Sequence, residues 1–426
     1  MVDLPQEKEP PKPANGSIGE ELITSCSESD YYKRKEKGIP TIDKTKEITN
    51  ISYREKFVLI CRPKRFGKTL SLSTRKYMYT GTATICLYII DPEMEIKGTD
   101  IKLFKDTWLE ENLDRVTAKG RPIRSIIDAP RVVLDFKMPV CATRYSKAVV
   151  PEKTQEKLSK KYETIEEIRL KNPSYEIDMP IIDDETIKDL EKLQVFNDLV
   201  VVFKDMLIHV GKENKIKNFV YDDVAMVFTN LKNLLWCAYQ KKKKTIIINV
   251  DEYDQIITSA IAKGFSPAQI QVITSFMHDF FLQFKLYEHY LESCWFTGVS
   301  KYSKAALFSG KSNFNCSHKF VGFNNVIDYS EYERTADLHG FTLEDLNSPE
   351  IKPLLQNIVD NQIEHNKNIT VTELIDQIMF HYDGFRFAPA MKAPTVVNPC
   401  SLMRFLDFNC NSTEPLGIFL WFLYIL

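Results

Sequence analysis

Four short apolar runs organise the chain. Phe57-Val58-Leu59-Ile60-Cys61 is bounded by charges on both sides, and an unbroken run of this length predicts a strand buried on both faces. Arg131-Val132-Val133-Leu134-Asp135-Phe136 and Thr245-Ile246-Ile247-Ile248-Asn249-Val250 are rich in the β-branched residues that suit a pleated surface, and predict a second and a third strand. Cys294-Trp295-Phe296-Thr297 predicts a fourth. Between the strands, apolar positions recur at helical spacing. Phe276, Phe280, Phe284 and Tyr287 form one such stripe, in a helix expected to open at Ser266-Pro267, where serine can cap and proline fits the first turn. A stripe of this kind implies core packing more than a ligand box. Strands alternating with helices predict an α/β fold with a mostly parallel sheet flanked by helices.

Other stretches lack this pattern. Residues 3–17 mix prolines with charged side chains and contain no apolar signal core, so 1–18 is read as a disordered tail and the secretory pathway is not indicated. Residues 151–195 carry glutamate and lysine at spacings that suit solvated helices, and are read as a charged helical insertion in a core of 19–300. Residues 301–407 are read as a helical lid and 408–426 as an atypical apolar tail. Gly417–Leu426 is nearly all apolar, yet as a helix it spans only about half a bilayer, so a membrane anchor is not favoured.

Composition narrows the class. The 426 residues are 27% charged and 44% hydrophobic, which is globular, and the length allows one large α/β domain with a helical appendage. A net charge of −2 gives no overall attraction to nucleic acid or membrane. The nine cysteines lack the close pairs of zinc sites and suit a reducing compartment, the cytoplasm or the nucleus. His278 and His289 are read within one helix without a partner at ligand spacing, so the only metal expected is one that accompanies a nucleotide. Lys241–Lys244 is read as a solvated helix end in preference to a nucleic-acid or import signal.

The chemistry concentrates after the first strand. A phosphate-binding loop needs a strand, a turn of backbone amides, a helix N-terminus, a lysine for the terminal phosphates and a hydroxyl for magnesium. Arg62-Pro63-Lys64-Arg65-Phe66-Gly67-Lys68-Thr69 supplies them: Gly67 admits phosphate to the backbone, Lys68 offers charge to the β and γ groups, and Thr69 offers a magnesium ligand. Arg62 stands where such loops usually begin with glycine. With Lys64 and Arg65 it is expected to crowd positive charge around the loop and attract a triphosphate over a Debye length of about 8 Å. The third strand runs into Asp251-Glu252, where Asp251 could hold magnesium and Glu252 could polarise the attacking water, although two acids ending a strand can also be a plain turn.

These segments resemble the AAA-ATPase-like family. Thr41–Thr45, Arg62–Thr69, Val133–Phe136, Asp251–Asp254 and Phe296–Lys301 follow in the family's order, as do Phe308–Gly310, His339–Thr342, Tyr382–Phe387 and Asn398–Leu402, over about residues 30 to 407. The family's own loop also carries arginine in place of the leading glycine. The resemblance implies a P-loop NTPase using ATP and Mg2+, with the loop strand and the acid strand separated in the sheet. It further implies Thr297, or alternatively Ser300, as a γ-phosphate sensor. Arg386 becomes a candidate arginine finger from the lid, against stacking on its aromatic neighbours. Asp43-Lys44-Thr45 becomes an adenine-pocket candidate, against a helix cap. The family domain commonly precedes a PD-(D/E)XK nuclease domain, for which the chain has no convincing D…(D/E)xK cluster. The leading expectation is an ATP-hydrolysing nucleotide switch acting on a protein partner or a second copy of the chain. The alternative is a non-enzymatic, nucleotide-binding interaction remnant of a mobile-element-like ATPase-nuclease.

Overall fold

The computed structural model describes residues 28–80, 103–116, 120, 122–125, 130–140, 184–301, 325–364, 369–382 and 384–411. The expected tail 1–18, residues 151–183 of the expected insertion, the Phe308–Gly310 segment, Asp383 and the tail beyond 411 lie outside the described residues.

The centre is a five-stranded sheet of β1 (Phe57–Cys61), β2 (Val133–Lys137), β3 (Ile246–Asp251), β4 (Leu291–Gly298) and β5 (Ile327–Asp328), all parallel and in the order β2-β3-β4-β1-β5. β1 and β3 are buried at every position, as their unbroken apolar runs require. β2 starts at Val133 instead of Arg131, and β4 begins at Leu291, ahead of the expected Cys294. The two-residue β5 pairs with β1 and was not expected, because two residues carry no periodic signal.

Strand alternation divides the side chains between two layers. Val58, Ile60, Ile247 and Trp295 face α1 (Tyr31–Glu36), α2 (Thr45–Arg54), α3 (Lys68–Thr80) and α4 (Trp108–Glu111). Phe57, Leu59, Ile248 and Phe296 face α5 (Asp184–Glu213), α6 (Val227–Lys242), α7 (Gln255–Ala262) and α8 (Pro267–Leu286). The Phe276/Phe280/Phe284 stripe of α8 is buried here, and full burial of one such ring stabilises by roughly 1.5–3 kcal/mol. Ser266 and Gln269 close a capping box on α8, with Pro267 in its first turn. His278 lies in α8, whereas His289 falls in the separate 3-10 turn Glu288–Tyr290. Lys241–Lys244 is exposed, with Lys243 in the left-handed region ending α6. The 30-residue α5 starts inside the span read as insertion and buries Val195, Leu199, Phe203 and Leu207 against the sheet layer.

A third apolar cluster holds α9 (Leu343–Leu346), α10 (Lys352–Glu364), α11 (Val371–Tyr382) and α12 (Pro399–Asn411) together, with Ile42 from the N-terminal segment packed against it. A hairpin of β6 (Phe385–Arg386) and β7 (Thr395–Val396) sits between α11 and α12 in the chain. The Lys44–Asp345 ion pair, 2.7 Å, joins the N-terminal segment to α9.

A buried polar network fixes α3 on the sheet. Arg75, fully buried, donates to Ile248 O at 3.1 Å and to Asn249 Oδ1 and Ser293 Oγ, and its guanidinium lies 4.7 Å from the Trp295 ring. Asn249 in turn donates to Leu72 O at 3.2 Å and to Asp135 Oδ1 at 2.8 Å. Its amide is the polar break in an otherwise apolar strand. The network sets the angle at which the N-terminus of α3 meets the ends of β1 and β3.

Candidate functional site

β1 extends by one residue into the loop, since Arg62 N donates to Gly298 O at 2.9 Å, and α3 begins at Lys68. The turn between them uses left-handed backbone at Arg65, φ 66°, and Gly67, φ 84°. A Cβ on Gly67 would meet nothing within 4 Å, so its backbone angle is what calls for glycine, and the open side admits a ligand to the amides of the helix N-terminus. The loop borders a cavity of about 400 Å³ lined by Lys64–Thr69, Thr41, Ile42, Lys44, Glu252, Gln255, His339, Cys400 and Met403.

The parallel register of β3 and β4 pairs Val250 with Phe296 and so brings Thr297 beside Asp251. Asp251, 7% exposed, accepts hydrogen bonds from the Thr297 hydroxyl on Oδ1 and the Thr69 hydroxyl on Oδ2, both 2.6 Å, and from Glu252 N at 3.0 Å. The Lys68 ammonium donates to Arg62 O at 3.0 Å and Pro63 O at 2.9 Å. Burial draws its pKa down, while Asp251, Glu252 and Asp254 oppose the shift. Glu252 lines the cavity and adopts φ 54°, which swings the chain back under β4: Tyr253 N donates to Thr297 O at 2.8 Å. Thr69 and Asp251 present a hydroxyl and a carboxylate, oxygen donors of the kind magnesium takes.

The segment after β4 is held by groups to which the motif reading gave no role. Asp254, 2% exposed, accepts from Ser300 N at 2.7 Å and Val299 N at 3.2 Å, and the Tyr253 hydroxyl donates to Ser300 O at 2.7 Å. Ser300 thus enters this arrangement through its backbone. Gly298 packs so tightly under these side chains that an added Cβ would stand 2.5 Å from the Tyr253 ring and 2.7 Å from Asp254. Gly298→Ala is therefore expected to lower stability by roughly 1–3 kcal/mol and to displace Thr297 from Asp251, read as a lower denaturant midpoint. An unchanged midpoint would show that the Tyr253 ring yields freely.

Arg62 and Arg386 are placed away from the cavity lining. Arg62 is 1% exposed; its guanidinium donates to Cys61 O at 2.9 Å, Ser330 O at 2.7 Å and Thr335 O at 2.7 Å, and lies 4.1 Å from the Phe387 ring. Burial lowers its pKa to about 10, which still leaves it charged at neutral pH. Lys64 and Arg65 are exposed on the loop, and Pro63 is half-buried. Phe66 is buried against the rings of Phe385 and Phe387, at 4.7 and 5.2 Å between centroids. Because both of those rings engage Phe66, Arg386 between them faces the opposite side of the hairpin and is exposed. Asp43 accepts from Thr45 N at 2.9 Å and, 65 positions along the chain, from Trp108 N at 2.6 Å, while Lys44 both lines the cavity and pairs with Asp345.

Gln255, His339 and Cys400 line the cavity without having been singled out for a role. His339 and Cys400 stood inside quoted segments, yet only the docking of the helical cluster against the loop brings them to it. Among the described residues no group of three or more His, Cys, Asp or Glu is placed to hold a metal ion by itself, and no helix is long and apolar enough to cross a membrane.

No curated protein and no solved structure matches the chain. A family model described as "Predicted AAA-ATPase" matches residues 27–118 and 151–308, ending short of the span to about 407 over which the resemblance was read. The match covers more than half of the chain and takes in both the loop at Arg62–Thr69 and the acid pair at Asp251-Glu252, so the protein belongs to the AAA-ATPase-like family, for which nucleotide binding and hydrolysis are implied in general.

Proposed function

We propose that the protein binds ATP with magnesium between the phosphate loop and the C-terminal helices, hydrolyses it, and passes the nucleotide state to a partner through those helices acting as a lid. The observation that carries this reading is the convergence of Thr69 and Thr297 on the two oxygens of Asp251, at the N-terminus of α3 and beside Lys68. The loop amides and Lys68 bind the phosphates, the lysine exchanging the carbonyls of Arg62 and Pro63 for phosphate oxygens. Thr69 and Asp251 would hold magnesium, which when bound neutralises charge on the β and γ groups. Glu252 orients a water toward the γ-phosphorus and takes its proton as the bond to ADP breaks. Thr297 holds the Asp251 carboxylate in place through its hydroxyl. Phe66, wedged against Phe385 and Phe387, is the contact through which loop movement would reach the lid.

Titration calorimetry with ATP and magnesium tests the binding step; a folded protein that takes up no ATP at millimolar concentration overturns the reading. Lys68→Ala is expected to weaken ATP binding by roughly 2–4 kcal/mol, about 30- to 900-fold, by removing a charge-assisted partner in a desolvated site. Parental affinity in that variant would take Lys68 out of the site. Tight binding without phosphate release would favour a non-enzymatic interaction module.

A further inference from the structure

We infer that His339 reads the base of the bound nucleotide through a hydrogen bond from one of its ring nitrogens to the edge of the heterocycle. The inference rests on the nucleotide reading above and concerns the part of the cavity lined by apolar side chains. The loop at Gly67–Thr69 occupies one wall. Other walls are lined by Ile42, Ile48, Phe341 and Met403, apolar surfaces suited to the faces of a flat ring. His339 lines the same cavity, is 2% exposed, and has no hydrogen-bond partner on either ring nitrogen among the described residues. Buried polar atoms are nearly always partnered, and one left without a partner costs stability unless something that enters the cavity satisfies it.

The backbone carrying His339 is fixed on both sides. Phe341 and Val397 exchange hydrogen bonds of 3.0 and 2.8 Å, and Leu338 N donates to Thr335 O at 3.3 Å. Gly340 adopts φ 96° with its α-carbon pressed on Val396, so close that a Cβ would stand 2.8 Å from it. The backbone from which the imidazole projects is thus held in place.

The apolar side chains that line the cavity with His339 suit a base, and its charge state agrees. Burial, together with the neighbouring cations Arg62, Lys68 and Lys44, holds the ring well below the usual histidine range. A neutral imidazole adds little to a phosphate site already served by Lys68. The N–H and the lone pair of the ring diverge, so one of them meets the edge of a purine such as adenine, whose amino group donates and whose ring nitrogen accepts.

The test compares ATP with inorganic tripolyphosphate, which has the phosphates and no base, on the full chain and on His339→Leu. The expected result is an ATP affinity lowered about tenfold in the variant and a tripolyphosphate affinity changed less than twofold. Equal losses for both ligands, or no loss for either, overturn the base assignment and leave the ATP reading standing. Binding of neither ligand by the parent protein would instead overturn the ATP reading, and this inference with it. In the unsubstituted protein, the imidazole nitrogen resonances of His339 are expected to shift on adding ATP and stay in place on adding tripolyphosphate; a shift with tripolyphosphate alone also overturns the assignment. That measurement decides the question even if His339→Leu fails to fold.

Discussion

Glu252→Gln is expected to leave ATP affinity within about twofold of the parent while lowering the rate of phosphate release by about two orders of magnitude or more. Glutamine keeps the size of the side chain, and the groups that shape the turn belong to the backbone or to neighbours: Glu252 N on Asp251, Tyr253 N on Thr297 O, Gln255 N on Glu252 O. The φ of 54° at this position suits either residue equally. What changes is the ability to accept a proton from water, so the loss falls on the chemical step and not on binding. Single-turnover phosphate release beside calorimetric binding separates the two. Unchanged turnover would make Glu252 a turn residue, the other reading of two acids at a strand end.

Arg62 is expected to matter for folding and not for attraction of the triphosphate. In Arg62→Ala the carbonyls of Ser330 and Thr335 lose their donor and a void opens beside Phe387, for a loss of roughly 3–4 kcal/mol. Each orphaned acceptor costs about 1–3 kcal/mol, and the local cost of a missing guanidinium adds to that. Because the donor and acceptors are buried together, the change in denaturant midpoint should be the same at low and high salt. With the guanidinium under the loop, the damage from Arg62→Glu is expected to come through the fold and not through a salt-dependent loss of attraction for the triphosphate. Arg62→Gly is expected not to improve ATP affinity, since the turn that needs left-handed backbone is made by Arg65 and Gly67 farther along. A midpoint change worth less than about 1 kcal/mol in Arg62→Ala, or a gain of ATP affinity in Arg62→Gly, would contradict this account.

The amino-acid sequence by itself determined those features whose signal is local. β1 and β3 are unbroken apolar runs, the helix at Ser266-Pro267 carries its cap and its stripe in adjacent turns, and the loop strand, Gly67, Lys68 and Thr69 are contiguous, so short-range periodicity and residue chemistry suffice for all of them. Tertiary structure alone decided what depends on pairing across the chain. Asp251 and Thr69 are 182 positions apart, and they meet because β4 inserts between β1 and β3 while the Arg75 network sets the angle of α3. Lys44 reaches Asp345 across 301 positions, which helps bring the helical cluster, and with it His339, to the cavity. The directions of the two arginines are likewise non-local: Arg62 turns under the loop because the Ser330 and Thr335 carbonyls lie there, and Arg386 faces solvent because its neighbours Phe385 and Phe387 are taken up by Phe66. A side chain's charge can be read from its letter, but its partner is set by whichever buried donor or acceptor the fold leaves within reach.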